Sequence, residues 1–97
     1  MEYEWDENKN AVNQSKHKID FSKLEDFEWD RASIFIDDRK TYGEIRYCAL
    51  GVIGNRLYHL VYTHRNEAIR IISLRRANKR EVKKYAETQA GNYYSHR

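Results

Sequence analysis

Three arginines, Arg65, Arg70 and Arg75, recur at five-residue intervals in the last third of the chain. The planar fork of arginine binds phosphate oxygens in pairs and keeps its proton, so such a group suits a site that must hold phosphate charge. The three fall at a turn, within a strand-like run and at a strand end. Neighbouring strands of a meander could bring them to one face; the alternative is that they pair with the acidic N-terminal half. Glu44 stands two residues before Arg46, hence on the same face of an extended segment, as a carboxylate for proton transfer or as half of a structural pair. His17 follows a helical stretch and could be a general base, since imidazole titrates near neutrality. Its plainer reading is a helix C-terminal residue bonding the last carbonyls. Tyr62, Thr63 and Ser73 could donate hydrogen bonds to a substrate or complete a sheet, and Tyr85 reads as core. Arg46, Arg76, Lys79, Arg80 and Lys83 extend the basic group. They could grip a nucleic-acid backbone, be covered by a protein partner, or remain solvated.

Metal and cofactor chemistry find no footing. The one cysteine, Cys48, lies in an apolar run, and His17, His59, His64 and His96 show no ligand spacing. Gly43, Gly51, Gly54 and Gly91 are scattered instead of forming a phosphate loop. Neither a metal nor a cofactor is expected.

The elements that must position these residues are legible in outline. Tyr3–Trp5 reads as a short strand, and Asp6 as the N-cap of a helix to about Lys16. Ser22-Lys23-Leu24-Glu25 has capping-box form, predicting a second helix to about Phe27 or Glu28. Ser33–Ile36 reads as an edge strand. Residues 45–53 and 56–63 are strand-like about a Gly54-Asn55 hairpin turn, and His64 to Glu67 reads as a second turn before a strand over 68–74. From Ala77, the recurrence of Val82, Tyr85 and Ala86 predicts a basic amphipathic helix with those three facing in, ending before Gly91-Asn92. The expected fold is α+β: an antiparallel meander with two N-terminal helices and one C-terminal helix packed on it. A single domain over residues 1–97 is expected, with about 91–97 a frayed tail.

Composition agrees with a folded domain of 97 residues, 40% apolar and 13% aromatic. The net charge of +3 hides an asymmetry: residues 1–44 carry seven Lys/Arg against twelve Asp/Glu, and residues 63–97 nine against three. That polarity favours a polyanionic partner on one side. No signal peptide or membrane span is expected, and the single cysteine suits a reducing compartment, so the expected location is cytoplasmic.

Taken together, the motifs resemble the BrnT family, the toxins of BrnT/BrnA type II toxin–antitoxin systems. The resemblance rests on Glu4-Trp5-Asp6 with Asn8-Lys9, then Asn13, Lys16-His17, Ile19 and Phe21. Next come Phe35, Asp38, Glu44-x-Arg46-Tyr47 and Gly51. The pattern closes with Val61-Tyr62-Thr63-x-Arg65, Arg70-Ile71-Ile72-Ser73-x-Arg75, Ala77, Glu81 and Tyr85, spanning about residues 2–87. Two positions depart from it: Lys18 stands where the family commonly has glycine, and Leu74 where it has alanine. The resemblance implies a RelE-like fold, metal-independent ribonuclease activity that arrests translation, and neutralisation by a BrnA-like ribbon-helix-helix antitoxin. Operator DNA would be met only through that complex. On this reading Arg65, Arg70, Arg75, Glu44 and His17 are the catalytic candidates. The other function considered is a catalytically inactive homologue that only binds antitoxin and operator as a co-repressor.

Overall fold

Asp6 starts the first helix by accepting the amides of Asn8 (2.7 Å) and Lys9 (3.2 Å) on its side chain, as its cap-forming residue type requires. The computed structural model describes residues 2–38 and 43–95. Its elements are β1 (Tyr3–Glu4), α1 (Glu7–His17), 3-10 helices at Phe21–Asp26 and Trp29–Arg31, β2 (Ser33–Ile36), β3 (Tyr47–Ile53), β4 (Arg56–Arg65), β5 (Ala68–Arg76) and α2 (Lys79–Ser95). The five strands form one sheet in the order β1-β5-β4-β3-β2. The fold is α+β, as expected, but the sheet is mixed. β1 joins β5 in parallel, Tyr3 opposite Ile69 and Glu4 opposite Arg70, which corrects the expectation of a purely antiparallel meander. A two-residue strand carries too little pattern to reveal its neighbour.

The core lies on one face, where Ala49, Ile53, Leu60, Tyr62, Ile69, Ile71 and Leu74 meet Ile19, Phe21, Leu24 and Phe27. Phe21, Leu24 and Phe27 are three residues apart, the period of a 3-10 helix, and all three are buried. That spacing explains why the segment forms a 3-10 helix in place of the expected second helix. Its cap is Asp20, which accepts the Ser22 amide, and not Ser22 itself. Gly51, in the middle of β3, leaves the space that the Phe27 ring fills; a Cβ there would run into that ring.

α1 buries no large apolar side chain; its buried residues are Asn10 and Asn13. The Asn13 amide donates to Leu74 O (2.8 Å) and Ile19 O (3.0 Å), and its oxygen accepts the Leu74 amide (3.1 Å). One side chain thus satisfies both backbone groups of Leu74, beyond the two residues that β1 pairs. α1 ends in Lys18, which is left-handed (φ 60°), the conformation for which glycine is ordinarily used.

Both hairpin turns are tight. Gly54 (φ 65°) serves the first. Asn66 and Glu67, both at positive φ, serve the second, so β4 runs to Arg65 and that residue belongs to a strand end and not to the turn. At the start of α2, Asn78 Oδ1 accepts the Glu81 amide (2.8 Å) and Glu81 Oε1 accepts the Asn78 amide (2.9 Å), a reciprocal cap. The inward face of α2 differs from the expected one. Val82 is 47% exposed and Ala86 is exposed, while the Tyr85 hydroxyl donates to Arg31 O (2.8 Å). Polar contacts, not an apolar stripe, hold α2 over β2, and the helix continues past Gly91-Asn92 to Ser95.

Candidate functional site

The polar residues gather on the sheet face opposite the core. Cross-strand register aligns Glu4, Arg70 and Thr63 in one row. Arg46 extends it, because the next residue, Tyr47, pairs with Tyr62. Arg65 follows on β4 with the same parity. Arg70 Nη1 lies 3.7 Å from Glu4 Oε1 and Arg65 Nη2 3.7 Å from Glu44 Oε1, while Arg46 Nε lies 4.0 Å from Glu44 Oε2. Glu44 therefore stands between two guanidinium groups, one to each oxygen. At 3.7 Å Arg65 and Arg70 attract their carboxylates without hydrogen-bonding them, so their N–H donors are not committed there. Thr63 lies within the row, but its hydroxyl donates to Ile45 O (2.6 Å). It fixes the backbone between Glu44 and Arg46 instead of facing a substrate.

Arg70 and Arg75 share this face only because β5 is bulged. Five residues of regular strand would place them on opposite faces. The register moves from Val61–Ser73 to Tyr62–Ile71, so Ile72 is the extra residue, and Arg70 (opposite Thr63) and Arg75 (opposite His59) point the same way. Four β4 residues nonetheless separate their levels, about 13 Å at strand rise.

Arg75 is engaged differently. Its two terminal nitrogens donate to the two Glu81 oxygens at 2.8 Å each, and His59 Nε2 lies 3.8 Å from Glu81 Oε2. The Arg75 hydrogen bonds, aided by the Asn78 amide and the nearby positive groups and opposed by burial, hold the Glu81 carboxyl down to about 2. This unit fastens the first turn of α2 to β5. A cavity of about 320 Å³ opens beside it, lined by Phe35, Leu50, His59, Arg80 and Lys84 with the Arg75–Glu81 pair.

His17 sits apart from Arg65 and Arg70, in a groove of about 290 Å³ between α1 and β5 that Lys9, Val12, Lys16, Ile72 and Ser73 also line. Burial first, then the charges of Arg75 and Lys16, lower its pKa. Among the remaining basic candidates, Arg76 is exposed opposite Tyr58 on the other side of the sheet, and Lys79 and Lys83 are exposed on α2. Tyr62 is on the core face, stacked on Tyr47 at 5.4 Å, with its phenol pushed up to about 12 by burial; it does not join the arginines. Sequence reasoning missed Glu4 and Glu81 as partners of the arginines and gave His59 no role. The parity of Glu4 against Arg70 could be found only once β1 was known to pair with β5.

Among the described residues no group of three His, Cys, Asp or Glu side chains could hold a metal ion, and no helix is long and apolar enough to cross a membrane. A family model described as the ribonuclease toxin, BrnT, of type II toxin–antitoxin systems matches residues 5–81, most of the chain. No curated protein matches the chain.

Proposed function

Because the chain belongs to the BrnT family of type II toxin–antitoxin ribonuclease toxins, we propose that its arginine-bearing sheet face is the active site of a RelE-like endoribonuclease that cuts RNA without a metal ion. The observation that carries this is the placement of Arg46, Arg65 and Arg70 on one face, the first two about the Glu44 carboxylate and the third beside Glu4. Cleavage needs an acceptor for the 2′-hydroxyl proton, cations for the charge that builds on the phosphate, and a proton for the leaving 5′-oxygen. Glu44 takes the 2′-hydroxyl proton, the 2′-oxygen bonds to phosphorus, and the P–O5′ bond breaks as the leaving oxygen takes a proton from solvent water, giving a 2′,3′-cyclic phosphate and a 5′-hydroxyl. Arg65 and Arg70 hold the non-bridging oxygens, for which their uncommitted donors suit them. Arg75, locked to Glu81, sets the place of α2. His17, beside Arg75, lines the strand's approach along the β5 edge.

A type II toxin has a protein antitoxin as its partner. Here that partner is a BrnA-like ribbon-helix-helix protein, and the pair meets operator DNA through the antitoxin, in the cytoplasm. Cutting of cellular RNA would arrest translation and growth.

The test is purified protein incubated with RNA in EDTA, with product ends analysed and Arg65→Ala and Arg70→Ala alongside. Cyclic-phosphate products that disappear in both variants support the reading. Activity that chelation abolishes removes metal independence, and activity unchanged in both variants removes the site. Intact RNA from a folded protein that still binds its antitoxin favours the inactive co-repressor.

A further inference from the structure

We propose that the cavity between α2 and the sheet seats one nucleobase and its phosphate, so that the face assigned above to RNA cleavage also selects a nucleotide near the cut; the proposal rests on that assignment. At about 320 Å³ the cavity is at the small end of ligand sites, sized for a mononucleotide and not for a duplex. Its walls divide by chemistry. Leu50, fully buried, and Phe35, half-buried on the edge strand, form an apolar side. Arg80 and Lys84, one helical turn apart on α2, form a cationic rim. The one carboxylate in the wall, Glu81, is engaged by Arg75 and the Asn78 amide, so it leaves the rim's positive charge in place.

The covering of Phe35 is what suggests a base. Lys84 Nζ lies 4.2 Å from the ring centroid, an ammonium held by the ring's negative face. A flexible cation on an exposed helix side is readily displaced, unlike a packed apolar neighbour. A planar base can take the ring face while Lys84 swings with Arg80 onto the phosphate. Base-on-aromatic stacking beside cations is how single-stranded nucleic acid is held. His59 reaches the same cavity from β4. The location fits the cutting face. Phe35 pairs with Cys48, one level along the sheet from Arg46, so the two sites are about 7 Å apart along the strands.

The experiment titrates the four ribonucleoside 3′-monophosphates, with inorganic phosphate in parallel, into the wild-type chain and into Phe35→Leu and Arg80→Ala. Amide shifts at Phe35, His59 and Lys84 report binding. Nucleotides should bind at least tenfold tighter than phosphate and unequally among the four bases. Phe35→Leu should weaken them about tenfold without changing phosphate binding, and Arg80→Ala should weaken nucleotide and phosphate alike. Nucleotides that bind no better than phosphate, or equally well in Phe35→Leu, overturn the proposal. Should Phe35→Leu fail to fold, exposed Arg80 carries the test, with unchanged affinity in Arg80→Ala overturning it. Nucleotide binding here with RNA left intact would keep the base site and remove the ribonuclease reading. Cleavage without nucleotide binding would do the reverse.

Discussion

At the scale of single residues, Glu81 and Lys18 make opposite contributions. Glu81 receives a bidentate arginine and caps α2, and its carboxyl is held near 2 against an ordinary 4.5. A carboxyl with a lowered folded pKa contributes stability in full above its unfolded value and loses it as pH falls from about 4.5 towards 2. Glu81→Gln should therefore cost about 2 kcal/mol at pH 7 and flatten the acid dependence, as urea denaturation at pH 7, 4.5 and 3 will show. Equal acid sensitivity in both proteins would refute the linkage. Lys18 holds a left-handed backbone that any side chain disfavours. Lys18→Gly should raise stability by about 1 kcal/mol, enough to move the thermal midpoint by several degrees. A lower midpoint would mean that the bond from Lys18 Nζ to Ser15 O outweighs the strain.

At the scale of elements, the strands were the more legible part. The Gly54-Asn55 turn and the apolar runs around it found β3 and β4 to within two residues at their outer ends, because alternation and a two-residue turn are local signals. The bulge at Ile72 was not local. Arg70-Ile71-Ile72-Ser73 reads as regular strand, and only pairing against Val61 and Tyr62 reveals the extra residue. The inward face of α2 was misjudged for a similar reason: Val82 and Ala86 have helical spacing, but Tyr85 and Gln89 meet the backbone at Arg31 through hydrogen bonds that periodicity does not encode. α1 shows the same kind of polar attachment. Asn13→Ala should leave both backbone groups of Leu74 without their partner and destabilise the protein by about 2–3 kcal/mol. Hydrogen exchange of the Leu74 amide should accelerate well before that of Leu60 in the central strand; unchanged protection at Leu74 would contradict the attachment.

At the scale of the molecule, charge is divided along the chain. The acidic first half supplies α1 and the 3-10 helices, while β5 and the start of α2 carry the arginines and lysines. The division was visible in composition, but the face that bears Arg46, Arg65 and Arg70 depended on long-range pairing. If these residues hold RNA phosphates, the logarithm of affinity for a non-cleavable 2′-O-methyl RNA should fall linearly with the logarithm of salt concentration. Each lost arginine should then flatten that slope by about 0.7. Anisotropy titrations of wild type and Arg70→Ala over a range of salt give the comparison, and identical slopes would place Arg70 away from the RNA.

β1 pairs with β5, so a strand made early waits for one made much later. At roughly 5–20 residues per second, several seconds separate Glu4 leaving the ribosome from the arrival of Arg70. In that interval the nascent chain can close the hairpin of β3 and β4, but it lacks the strand that brings Arg70 onto their face. A ribonuclease toxin put together in this order gains its arginine face only after every residue from β1 to β5 has been made.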